Sequence, residues 1–205
     1  MSKLLMISGL DFLTQIQEWA NQQLADGGPR YAEYHPEQII VEPWNALSSV
    51  IMMLPAIYWL WRYRKSDGKN PFFLFAISMV FLGGLGSTLY HAFRMSSVFL
   101  MLDILPSALL MLGLAIYFWV KVLPKWWYIF LIFVPVFALR VLLFNRLGGH
   151  LGINLSYAIS GLLVLVPLGV VLKRTDFKGL TAMVIVLFTF AIALLFRQLD
   201  VHNFP

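Results

Sequence analysis

Four side chains in this sequence join reactive chemistry to a suggestive spacing: Ser87, His91, Asp103 and Glu42. On a helix, residues four apart lie on one face about a turn from each other, so Ser87 and His91 form a compact hydroxyl–imidazole pair. Asp103 follows His91 by twelve residues, inside the otherwise apolar run LMLDILPSALL. An unpaired carboxylate is expensive there. Its setting suits it to carrying a proton, or else to pairing as a carboxylate with a neighbouring metal or imidazolium. The alternative is a structural hydrogen bond to a neighbouring helix. The chain has no cysteine, so any metal must rest on nitrogen and oxygen ligands. The nitrogens available from histidine are those of His35, His91, His150 and His202.

These groups need a scaffold, and composition says which kind. Of 205 residues 60% are hydrophobic and 12% charged, with a mean hydropathy of +0.78. Soluble domains carry about 45–50% apolar and about 25% charged residues, so the chain reads as a membrane protein. A span needs roughly 20 mostly apolar residues. Six segments qualify, at about 42–61, 71–93, 98–120, 126–144, 151–172 and 180–197, joined by short connections rich in Gly, Pro, Asn and charge. The predicted fold is an all-α polytopic transmembrane bundle over 39–205, with no soluble domain and no internal repeat.

Within those spans Gly83, Gly84 and Gly86 precede the Ser87–His91 pair and permit close helix approach. Pro106, Pro135 and Pro167 mark kinks. Residues 1–38 do not form a standard signal peptide. Phe12, Leu13, Ile16, Trp19, Ala20 and Leu24 recur at helical spacing between polar residues, which predicts an amphipathic helix in the headgroup layer, ended at Gly27, Gly28 and Pro29.

Basic residues set the orientation. Arg62, Arg64, Lys65, Lys69, Lys121, Lys125, Lys173, Arg174 and Lys178 fall in alternate loops, against Arg94, Arg146 and Arg197 on the other side. The positive-inside rule then places the N-terminus outside. Glu42, Asn45, Ser87, His91, Asp103, Arg140, Asn154, Arg197 and Asp200 all come toward the outer leaflet. The net charge of +5 is thus a topology signal, and no nucleic-acid partner is expected.

Three stretches taken together resemble the alkaline ceramidase family, within the seven-helix membrane hydrolases that also include the adiponectin receptors. They are EPWNALSS (Glu42 to Ser49), GLGSTLYH (Gly84 to His91) and LMLDILP, with Asp103 and Pro106. The resemblance implies a zinc-dependent amide hydrolase acting on a ceramide-like N-acyl membrane lipid, releasing a fatty acid and a sphingoid base. It makes His91 a zinc ligand, Ser87 the neighbouring hydroxyl and Asp103 the acid/base carboxylate.

It also implies a seventh helix carrying an HxxxH with two further ligands. This sequence has no HxxxH and reaches Pro205 where that helix is expected, so either the protein continues beyond this sequence or the site is rebuilt or lost, with His202 a candidate substitute ligand. A calcium site formed by acidic residues at and before the first span is implied as well. Glu42 matches by position, and Glu33 or Glu37 could add oxygen. The competing role for Glu42 is to cap the first turn of its helix.

Two other readings fit parts of the pattern. One is a metal-free serine–histidine intramembrane hydrolase in which Ser87 attacks. The other is a non-catalytic lipid-binding receptor or scaffold that keeps the bundle without the chemistry.

Overall fold

A computed structural model describes residues 24–147 and 149–202, so the predicted amphipathic helix around 12–24 lies almost entirely outside the described residues. Six helices follow one another: α1 Pro43–Arg64, α2 Pro71–Phe93, α3 Ser97–Val122, α4 Tyr128–Leu147, α5 Gly149–Arg174 and α6 Leu180–His202. No strand occurs among the described residues. Each helix coincides with one predicted span, most of them longer by a few residues.

Local chemistry explains the boundaries. Pro71 sits in the first turn of α2, where its missing N–H costs nothing, and the Asn70 side chain accepts from Phe72 N at 2.9 Å. Only Met95 and Ser96 separate Arg94, which caps α2 with a left-handed backbone (φ 48°), from α3. Pro55, Pro106, Pro135 and Pro167 all lie inside helices.

α2 is held between α1 and α3; α3 then packs on α5, and α5 on α4. Glycine permits the closest of these approaches. A Cβ on Gly86 would stand 2.1 Å from the Leu102 carbonyl oxygen of α3, and one on Gly84 2.5 Å from Met53 Cγ of α1. Gly83 faces Pro106 and Ser107. The three glycines are therefore packing residues serving two neighbours. Farther along, Ala115, Ile129, Phe133 and Leu163 form an apolar cluster joining α3, α4 and α5. There Trp119 Nε1 donates to the Leu163 carbonyl at 2.9 Å.

Apolar side chains also point outward on every helix, for example Leu54, Leu82, Leu105, Leu131, Leu162 and Phe188. By length and composition α2 and α3 are sufficient to cross a membrane.

Candidate functional site at one end of the bundle

The start of α1, the end of α2 and the start of α3 meet at one end of the bundle, and residues 24–42 fold across it. This segment is stitched to the helix ends through the backbone. Val41 N donates to the Ala92 carbonyl (2.9 Å) and Glu42 N to the His91 carbonyl (3.0 Å), satisfying two acceptors that the end of α2 leaves open. Glu33 accepts from Trp44 N and Asn45 N, both at 2.7 Å, and so caps α1.

The Glu42 carboxylate, expected either to cap α1 or to bind calcium, turns inward instead. It makes no capping hydrogen bond and is completely buried. Its Oε2 meets His91 Nδ1 at 2.5 Å and its Oε1 accepts from Arg94 Nη1 at 2.9 Å. Arg94 continues outward to Asp26, with Nε at 2.7 Å from Oδ2 and Nη2 at 3.1 Å from Oδ1, and Nη2 also donates to the Pro29 carbonyl at 3.0 Å. Asp26 is tied back by Gly28 N at 2.9 Å. The result is a buried chain from imidazole to carboxylate to guanidinium to carboxylate. Burial opposes charge on Arg94, but the hydrogen bond to Asp26 and the charge of Glu42 outweigh it and raise the guanidinium pKa above its ordinary value.

His91 is 7% exposed, with the rings of Tyr31 and Tyr90 edge-on to it at 5.4 and 5.0 Å. A carboxylate on Nδ1 favours the tautomer that keeps the Nε2 lone pair available, the usual support for a histidine that binds metal. His91 thus fits one nitrogen ligand. Among the described residues no three His, Asp or Glu side chains gather into a ready metal site. His35 is exposed and lies 3.4 Å from Glu37, and the side chains of His150, Asn154, Arg197, Asp200 and His202 fall outside the described set.

Ser87 is buried one turn before His91, and its Oγ lies 3.0 Å from Ser49 Oγ, which itself donates to the Asn45 carbonyl at 2.7 Å. Among the described residues no hydrogen bond joins Ser87 to His91, the link that a serine–histidine nucleophile needs. Asp103 belongs to the same level of the bundle, because its backbone N would be 3.0 Å from a Cβ on Gly86. Its side chain is half-buried and has no hydrogen-bond partner among the described residues. Arg140 and Ser156 pair separately, at 2.9 and 2.7 Å, between α4 and α5.

The calcium ligands implied by resemblance do not fit. Both oxygens of Glu33 are engaged by α1 amides, and both of Glu42 by His91 and Arg94. Calcium takes six to eight oxygens converging on one point.

Sequence reading missed Asp26, Ser49, Tyr31 and the part played by Arg94, which it counted as a loop charge. The available signal was spacing, since Arg94 falls three residues after His91 and therefore near its face. Nothing local in DGGPRYAEY announces that Asp26 returns to meet it.

The described residues thus form an all-helical bundle with a buried serine, histidine and glutamate at one end. A family model described as Ceramidase matches residues 32–203, and the chain belongs to the ceramidase family. Membership makes it a hydrolase of amide bonds with a lipid substrate like ceramide. No curated protein and no solved structure matches the chain.

Proposed function

We propose that this protein is an integral-membrane, zinc-dependent amide hydrolase that cleaves ceramide-like N-acyl lipids to a fatty acid and a sphingoid base. The observation that carries the reading is His91: its Nδ1 is fixed by a buried carboxylate and its helix is packed by glycine against the backbone of Asp103. All six helices span the bilayer in this reading, supported by the outward apolar side chains on each. The connections after α3 and α5 share an end, where Arg174 donates to the carbonyls of Lys121 and Val122 at 3.2 Å. The basic loops crowd that end, so the site faces the non-cytoplasmic side.

Zinc on His91 Nε2, with further ligands from outside the described set such as His202, would supply Lewis acidity and lower the pKa of water. The chain's own groups do the rest. Asp103 accepts a proton as water adds to the amide carbonyl carbon, and returns it to the departing nitrogen when the C–N bond breaks. The Ser87 hydroxyl donates to the carbonyl oxygen as that oxygen gains charge, while Ser49 holds it in place. Glu42 keeps His91 oriented throughout. An acyl chain remains in hydrocarbon between helices while its amide reaches this polar end.

The test is metal content and fatty-acid release measured on the same purified protein in wild-type and His91→Ala forms. About one zinc per chain and turnover of N-acyl sphingoid bases are expected in the first, and loss of both in the second. Stoichiometric zinc retained by His91→Ala removes His91 from the mechanism. Lipid binding without product, in zinc-supplied protein, establishes the receptor reading instead.

A further inference from the structure

We infer that Arg94 takes the place of the calcium ion, as a cation built into the chain that pins residues 26–42 across the ends of α1 and α2. A calcium site needs carboxylates whose free oxygens face one another across a gap of ionic size. Here the carboxylates of Asp26 and Glu42 do face a common point, and the guanidinium of Arg94 fills it. Its Nε, Nη1 and Nη2 reach Asp26, Glu42 and the Pro29 carbonyl at 2.7 to 3.1 Å. Two negative groups around one fixed positive group leave little attraction for a divalent ion, and the guanidinium itself repels one.

The surroundings are shaped for arginine. Its charge lies over the ring of Tyr90 at 4.5 Å, with Tyr34 and Tyr31 at 5.8 and 5.9 Å. A Cβ on Gly28 would fall 1.7 Å from the Tyr90 hydroxyl and 3.2 Å from Arg94 Nη2, so the segment closes on the cation through a residue that has no side chain. Arg94 side-chain exposure is 2%, and that of Asp26 is also 2%. A planar fork of donors suits two carboxylates and a carbonyl better than a lysine would. The cation that holds the acidic N-terminal segment onto the bundle is here part of the polypeptide.

The full chain in detergent provides the test, by thermal unfolding, retained calcium and proteolysis of the 24–42 segment, in chelator and in roughly millimolar calcium. For the wild type the two melting curves coincide, no stoichiometric calcium is retained and the cleavage rate is the same. Arg94→Gln melts lower and is cut faster between residues 24 and 42; Arg94→Lys recovers only part of the loss. A calcium ion retained by the wild type, or a melting point that rises with calcium, overturns the inference. So does an Arg94→Gln protein that matches the wild type in both melting and cleavage. If Arg94→Gln does not fold, the wild-type comparison decides alone. None of these readouts uses turnover, so they are separate from the test of hydrolysis.

Discussion

The first three helices and the last three are built by different means. In α1–α3 glycines make room for a neighbouring helix: Gly86 lies against the backbone of Leu102, Gly84 against Met53 and the Ser49 carbonyl, Gly83 against Ser107 and Pro106, and Gly113 against the Phe75 ring. In α5, Gly161 and Gly169 have nothing within 4 Å of where a Cβ would stand. The later helices meet one another and α3 through side chains, with Ile129, Phe133 and Leu163 packed on Ala115 of α3 and the indole of Trp119 reaching the Leu163 carbonyl. All of the groups proposed to do chemistry, save the side chains outside the described set, sit in the half whose spacing is fixed by glycine. A catalytic arrangement must be held to a fraction of an ångström, and backbone contact leaves less room for drift than interleaved side chains do.

Substitutions can break this comparison in order of severity. Glu42→Gln should be the most damaging, because it removes the negative partner from a buried histidine and arginine at once; a loss of about 3–5 kcal/mol is expected, read as a lower melting point together with lost activity. Gly86→Ala comes next. Its methyl would overlap the Leu102 carbonyl, forcing α2 and α3 apart at the level of Ser87 and Asp103, at a cost of about 1–3 kcal/mol and with turnover falling further than stability alone accounts for.

Trp119→Phe removes one interhelical hydrogen bond, between α3 and α5. It should cost about 0.6 kcal/mol and leave activity per folded molecule unchanged. Gly161→Ala is the control, expected to stay within about 0.5 kcal/mol of wild type. If Gly161→Ala proved as disruptive as Gly86→Ala, the contrast between the halves would be wrong. Asp103→Asn sharpens the comparison from the chemical side. It should melt like the wild type and hydrolyse roughly 100-fold more slowly or worse; full activity would remove the proposed proton carrier.

Helices and their order were legible because each apolar run is long and is ended by Gly, Pro or charge, as in RYRKSDGKN between α1 and α2. The nearness of Ser87 and His91 was legible because helical spacing dictates it. The destination of Glu42 was not. A glutamate ahead of Pro43 looks like a cap, and only the tertiary fold shows that Glu33 caps α1 while Glu42 turns to His91. Arg94 was hidden for a related reason. Charge next to a short connection reads as a topology signal, yet a left-handed backbone at that residue ends the helix beneath a returning segment that buries it. Local periodicity carries no information on contacts between residues 68 positions apart, such as Asp26 with Arg94.

The two-residue link between Arg94 and α3 works as a gauge for the hairpin. Each residue of helix advances about 1.5 Å and turns about 100°, so one extra residue between Met95 and Ser96 would carry Asp103 up and around the rod, away from the level of Ser87. Lengthening that corner would be felt as mis-set phase between the two rods, with both still intact.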